Sequence, residues 1–183
     1  MEYLKTSIEG VYIIEPRVFT DNRGYFFESF RQSDFDANVG GHTEFVQDNE
    51  SKSSYGVLRG LHYQRGEHSQ AKLVRVIKGH VMDVAVDIRR SSPTFGQYVM
   101  AELSEENKRQ FFIPRGFAHG FLVLSPEAIF TYKVDNDYAP QSEAGIRFDD
   151  PDINIQWPID AKDVITSEKD MKAPWFRDAE MFE

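Results

Sequence analysis

The chain has 183 residues, enough to bury one core, and nothing in that length calls for a second unit, so a single domain over 1–183 is expected. A formal charge of −9 excludes a nucleic-acid binder that works through a basic face, and an anionic small ligand would need a local basic pocket. The absence of cysteine removes disulfides, thiolate metal sites and cysteine nucleophiles together.

At the N-terminus the apolar run 11–14 is too short for a signal or membrane segment, so a cytoplasmic protein with no membrane partner is expected. Short runs rich in Val, Ile, Phe and Tyr, separated by Gly, Pro, Asn or Asp, predict strands over 11–15, 24–30, 56–64, 72–78, 81–88, 96–103, 110–113, 119–124 and 128–134. One helix interrupts them, with Ser33 capping 34–39 and Gly40-Gly41 ending it. The stretch 81–88 alternates Met82, Val84, Val86 and Ile88 with Val81, Asp83, Ala85 and Asp87, which predicts one core-facing side. After Tyr138, prolines at 140, 151, 158 and 174 limit regular structure, so this tail is expected to wrap the body. The whole predicts a mainly β sandwich or jelly-roll barrel with short peripheral helices.

Polar groups inside apolar strands are the candidate chemistry. Gly56-Val-Leu-Arg-Gly-Leu-His62-Tyr-Gln64 carries Arg59 and His62 at opposite parity, so both can face one pocket only if Gly60 bends or bulges the strand. The alternative is a surface Arg beside a core His. Pro114-Arg-Gly116-Phe-Ala-His119 has the spacing of the second cupin motif, whose His is a metal ligand in metal cupins. The first cupin motif has a His-x-His pair, whereas here the stretch reads His62-Tyr63-Gln64. With one imidazole missing and no thiolate, no metal site is expected. Lys72 is in phase with Val74 and Val76 and can project its amine inward, where a lysine is costly unless used or paired; otherwise it is a solvated strand end. Tyr132 is in phase with Phe130 and Val134, either a core aromatic or a hydroxyl with a task.

Taken together these segments resemble the dTDP-4-dehydrorhamnose 3,5-epimerase family of cupin-fold enzymes. The similarity runs through Asp21-Asn-Arg-Gly-Tyr-Phe-Phe-Glu28, Gln47-Asp-Asn49, Val57-Leu-Arg-Gly-Leu-His-Tyr-Gln64, Lys72-Leu-Val-Arg-Val and Asp83-Val-Ala-Val-Asp-Ile-Arg89. It continues through Ser92-Pro-Thr-Phe-Gly96, Ile113-Pro-Arg-Gly-Phe-Ala-His-Gly-Phe121, Asp150-Pro151, Trp157-Pro158 and Ser167-Glu-Lys-Asp170, nearly the whole chain.

The resemblance implies a cofactor-independent isomerase acting on dTDP-4-dehydro-6-deoxy-D-glucose in dTDP-L-rhamnose biosynthesis. It implies His62 as base, Asp170 as the carboxylate that fixes its tautomer, Lys72 facing the carbon-4 oxygen, and Tyr132 as the acid on the opposite face. For the nucleotide it implies Arg23 and Arg59 on the diphosphate and Tyr138 stacked on thymine. Phe26, Glu28, Gln47, Asp48, Asn49, His119, Glu143 and Lys169 match other substrate-binding positions. It also implies a homodimer in which an N-terminal segment crosses to the partner. Other readings are an epimerase of one carbon, a ketoisomerase of the same fold, a non-catalytic sugar-nucleotide binder and a metal-dependent oxygenase. The 65–70 loop departs from the family's proline-containing loop, and His42, His68 and His80 match no catalytic position.

Overall fold

The β-branched and aromatic runs become strands that close on one another as two sheets, and a computed structural model describes residues 1–183. In chain order the strands are β1 (Glu2–Lys5), β2 (Tyr12–Glu15), β3 (Phe19–Asp21), β4 (Gly24–Phe26), β5 (Gln47–Ser54), β6 (Leu58–Gln64) and β7 (Lys72–Lys78). They continue as β8 (His80–Asp87), β9 (Tyr98–Ser104), β10 (Gln110–Ile113), β11 (Phe117–Val123), β12 (Glu127–Val134) and β13 (Glu143–Gly145). Two short helices are peripheral, α1 (Gln32–Val39) and α2 (Glu168–Met171). A six-stranded sheet, β1-β2-β10-β7-β12-β5, faces a five-stranded sheet, β13-β6-β11-β8-β9, with every pairing antiparallel. This is the expected mainly β, cupin-type jelly roll; the hairpin β3–β4 stands apart as its own two-stranded sheet.

Alternation decides what fills the space between the sheets. Val74 and Val76 of β7, Val81 and Ala85 of β8, Phe117, Phe121 and Val123 of β11, and Ala128 and Phe130 of β12 form one buried interior cluster. Phe121 and Phe130 stack across it at 4.0 Å between centroids. The opposite parity of β8 is buried as well: Val84 and Val86 pack under Ile146, Ile153, Ile155 and Ala179 of the C-terminal tail. The expectation of a single core face on 81–88 is therefore corrected, because the tail wraps the outside of the five-stranded sheet and makes a second apolar layer.

Four strands lie outside the sequence expectation: β1, β3, β5 and β13. The most consequential is β5, Gln47 to Ser54, which has no apolar residue yet pairs with β12 over eight positions. The expected strand 24–30 ends at Phe26, and Phe30 instead joins an aromatic cluster with Phe35 and Phe45. The helix begins at Gln32, with Arg31 at the cap position and no side-chain cap, so Ser33 is not the cap. Its phase is set by Phe35, its one buried residue, which meets Phe112 edge-on at 4.9 Å. Its end is as expected, with Gly40 at φ 83°.

Gly60 meets the geometric condition set by Arg59 and His62. It has φ 135°, the Gly60–Leu61 peptide is cis, and the β6–β11 register shifts between His119 and Phe121. His119 pairs with His62 and Phe121 with Arg59, so three steps on β6 span two on β11. Leu58 and Leu61 then both pack outward, on Phe148 and Val84 respectively, and Arg59 and His62 both turn toward the open side. A Cβ at Gly60 would lie 2.6 Å from the Gly120 Cα, so only glycine permits this approach.

Candidate active site

A cavity of about 320 Å³ opens between the sheets at one end of the barrel. His62 reaches it from β6, while Lys72 of β7 and Tyr132 of β12 reach it from the other sheet. The base candidate and the acid candidate thus stand on opposite walls.

His62 Nε2 lies 2.7 Å from Asp170 Oδ1, and Nδ1 has no hydrogen-bond partner in the protein. Asp170 is buried at the start of α2, where its backbone N–H donates to Ser167 Oγ at 3.0 Å. The Gly60 amide donates to its second oxygen at 3.3 Å. Burial pushes the Asp170 carboxyl up, but the hydrogen bond and charge of His62, with the Gly60 and Ser167 contacts, outweigh it and hold the group below the usual range. An ionised Asp170 accepts from Nε2–H, which leaves the Nδ1 lone pair free to take a proton.

Lys72 continues the inward parity of Val74 and Val76, as the sequence suggested. Desolvation lowers its amine to about 8, against the opposing pull of Asp83 and Glu143. Tyr132 packs against the interior cluster and sits opposite Asn49 in register. Burial raises its hydroxyl above the ordinary tyrosine value, with Arg59 opposing and Glu143 reinforcing. The hydroxyl and the Lys72 amine have no hydrogen-bond partner in the protein, so both are available to a ligand.

His119 faces the interior next to His62, the two being directly paired across β6 and β11. Its Nε2 sits 3.0 and 3.1 Å from the two oxygens of Asp83, a fully buried carboxylate that the sequence reading left without a role. The available signal was parity: Asp83 shares the face of Val81 and Ala85. Desolvation pushes His119 down and Asp83 up, each opposed by the other.

At the cavity mouth, Glu143 accepts from the Tyr138 hydroxyl at 2.9 Å and pairs with Lys169 Nζ at 2.6 Å. Burial raises the Glu143 carboxyl, but these two partners hold it below its usual value. Gln47 and Asn49, the inward residues of β5, line the same cavity, and Arg59 is anchored by Ser53 Oγ at 3.0 Å. No three His, Asp or Glu side chains converge as a metal cluster would require.

Of the predicted residues outside this cavity's lining, Arg59, Lys169 and Asp170 line an adjoining one with His62, and His119 pairs with His62 across the strands, while four lie away from both. Asp48 has the outward parity of β5 and pairs with Lys133 at 2.9 Å. Arg23 is at the turn of the β3–β4 hairpin, bound to Asp21, with Phe26 beside it on β4, while Glu28 pairs with Arg31. Phe26 is 70% exposed, and Tyr25 is 59% exposed although Phe27 and the Lys108 ammonium lie against its ring, so the hairpin offers apolar surface to solvent.

A histidine held by a carboxylate thus stands across the cavity from a lysine and a tyrosine, and comparison with known proteins identifies the family. A sequence model described as dTDP-4-dehydrorhamnose 3,5-epimerase matches residues 5–178. The chain is 56% identical to the dTDP-4-dehydrorhamnose 3,5-epimerase of Shigella flexneri over 182 residues, covering 100% of this chain and 99% of that protein. The crystal structure of the enzyme of that name from Elizabethkingia anophelis superposes with a TM-score of 0.94 at 56% identity, covering 97% of each chain. A dTDP-6-deoxy-D-glucose-3,5-epimerase from Legionella pneumophila, in complex with dTDP-4-keto-L-rhamnose, superposes at 0.92 with 50% identity, covering 96% of this chain and 93% of that one. The chain belongs to the dTDP-4-dehydrorhamnose 3,5-epimerase family and is an isomerase.

Proposed function

We propose that residues 1–183 act as one catalytic unit that inverts carbons 3 and 5 of dTDP-4-dehydro-6-deoxy-D-glucose through an enolate, within dTDP-L-rhamnose biosynthesis. The observation that carries this is the placement of the His62–Asp170 pair and Tyr132 on opposite walls, with Lys72 between the sheets. Both reacting carbons flank the carbon-4 ketone, so one pocket serves both inversions. His62 Nδ1 takes the proton, a step in which a general base contributes about 10²–10⁴-fold. The electron pair moves onto the carbon-4 oxygen, where the Lys72 ammonium stabilises it. The Tyr132 hydroxyl returns a proton to the other face, and solvent resets both groups.

Arg59 and Lys169 supply the local positive charge that an acidic chain needs for a diphosphate. Tyr138, half-exposed at the mouth, is suited to stack on thymine, with Gln47, Asn49 and Glu143 completing the pocket and His119 buried beside His62. Arg23, Phe26 and Glu28 can serve only if the hairpin region reaches a second copy, so we propose a homodimer, supported by the exposed aromatics of that hairpin. Asp48 is given no contact with the sugar. No cofactor has a part in these steps. We place the enzyme in the cytoplasm; no helix is long and apolar enough to cross a membrane.

The test is incubation of chelator-treated protein with the substrate in deuterated water, following carbons 3 and 5 by NMR. Deuterium at both is expected. Incorporation at one carbon only would replace this reading with a single inversion, and tight binding without any incorporation would make the chain a binder.

A further inference from the structure

Gln64 follows His62 by two places on β6, so its side chain shares the inward parity, and it is buried in the cavity wall. Its amide has two N–H donors and one carbonyl, and the protein engages both ends. Nε2 donates to the His68 carbonyl at 2.7 Å and to the Asp137 carbonyl at 3.1 Å, while Oε1 accepts from the Ala139 backbone N–H at 2.8 Å. One side chain thus grips the peptide groups on both sides of Tyr138. The same segment is laced to the loop after β6, Arg65-Gly-Glu-His-Ser-Gln70, which contains no proline. Gln70 Nε2 donates to the Asn136 carbonyl at 2.8 Å, and Asn136 Nδ2 donates to the Glu67 and Ser69 carbonyls at 2.9 and 3.4 Å. Tyr138 is itself exposed, and the bond from its hydroxyl to Glu143 is its one side-chain hydrogen bond. Glu143 is the register partner of Gln64 across β6 and β13, so the hydroxyl and the backbone of Tyr138 are both held from one rung of the sheet.

We infer that Gln64, with the 66–70 loop it anchors, is a positioning residue for nucleotide recognition: it fixes Tyr138 as a preformed platform for the thymine ring. The inference rests on the proposed stacking of Tyr138 on thymine. An exposed aromatic on an irregular segment would otherwise have to be ordered by the ligand, which weakens binding, and fixing it beforehand removes that cost. Stacking depends on ring overlap, so a platform that drifts loses much of it. The platform is also referenced to the catalytic end of the cavity, because Gln64 and His62 lie on one strand and pair with Glu143 and Gly145 of β13. The brace thereby sets the distance from the stacked ring to His62, which the diphosphate and sugar must span.

Gln64→Met keeps the length of the side chain and removes all three hydrogen bonds. The probe is dTDP, its affinity measured by calorimetry in the unmodified protein, in Gln64→Met, in Tyr138→Ala and in the double variant. Tyr138→Ala should weaken dTDP binding about 10-fold, within the range for loss of one base–aromatic stack. Gln64→Met should weaken it about 5-fold, and by less than about twofold further once Tyr138 is alanine. In turnover KM should rise by a similar factor while kcat stays within about threefold, because the brace touches no reacting atom. Unchanged dTDP affinity in folded Gln64→Met overturns the inference. An equal loss with and without Tyr138 also overturns it, since Gln64 would then be a direct contact or a general support. If Gln64→Met does not fold, Asn136→Ala, which cuts the hold of the loop from the surface side, takes its place in the same cycle, with the same two refuting outcomes. A silent Tyr138→Ala overturns the stacking role together with this inference, whereas a sensitive Tyr138→Ala beside a silent Gln64→Met overturns this inference alone.

Discussion

Replacing Asp170 by Asn removes a charge from the His62 support while changing little else. The carboxylate makes its shorter contact, 2.7 Å, to His62 Nε2, and its longer contacts, 3.3 and 3.5 Å, to the Gly60 amide and Thr166 Oγ1. An amide at this position has one donor end, and either orientation sets it against a donor. Turning the NH₂ toward Gly60 sacrifices only the longer contact, and Thr166 Oγ1 can accept from it. The oxygen therefore stays on Nε2–H, the tautomer survives, and what is lost is the full negative charge that stabilises the imidazolium. The expected fall is about 10²-fold, the low end of general-base effects. Asp170→Ala removes orientation as well and should fall further, toward about 10⁴-fold. The assay is the rate of deuterium exchange at carbons 3 and 5, with substrate affinity measured separately and expected to change little. Exchange in Asp170→Asn within about threefold of the unmodified rate, or Ala milder than Asn, would refute the reasoning.

His62→Ala should abolish exchange at both carbons, whereas Tyr132→Phe should retain part of it and lose net inversion; equal loss of exchange in both would merge the two roles. Lys72→Met should lower turnover by about 10²–10³-fold and yet raise stability. The folded amine is lowered to about 8, below its unfolded value, so below pH 8 folding disfavours the proton it carries, and this cost fades as pH rises through 8 toward the unfolded value. Solvent reaches part of the side chain, so the gain in denaturant unfolding at pH 7 should be about 1–2 kcal/mol, and no gain would count against a buried ammonium. Asp87, fully buried and bonded to Arg89, Ser92 and Thr94, is lowered to about 2: burial opposes ionisation and these partners outweigh it. Its contribution of about 2 kcal/mol should be present above pH 4 and vanish as pH falls toward 2, so the stability gap to Asp87→Asn should close over that window. A gap constant from pH 5 to 2 would show that the network acts by shape alone.

The sequence was most readable where hydrophobic alternation and chemistry coincide. The strands carrying Lys72 and Tyr132 were legible because Val74, Val76 and Phe130 mark the inward parity. Strand β5 was not, because its inward residues Gln47, Asn49, Ser51 and Ser53 are polar: Gln47 and Asn49 face a cavity and Ser53 anchors Arg59, so the period of two is written without apolar letters. The motif Gln47-Asp-Asn49 was noticed through resemblance, without the strand that explains why Asn49 faces inward and Asp48 does not. Asp83 was passed over for the opposite reason, since a charged residue within an apolar alternation reads as the solvent side. Asp170 lies 108 positions from His62, a contact that no local pattern encodes.

On the proposed roles of His62 and Asp170, that separation makes the last segment of the chain a condition for activity. The barrel's strands are complete by Gly145, but the carboxylate that holds His62 arrives on α2, delivered by a tail held on through Ile146, Ile153, Ile155 and Ala179. A nascent or clipped chain can have a finished barrel and an idle histidine. With the proposed roles, chemistry would begin only when the tail has docked, and completeness of the chain would be read out at the active site.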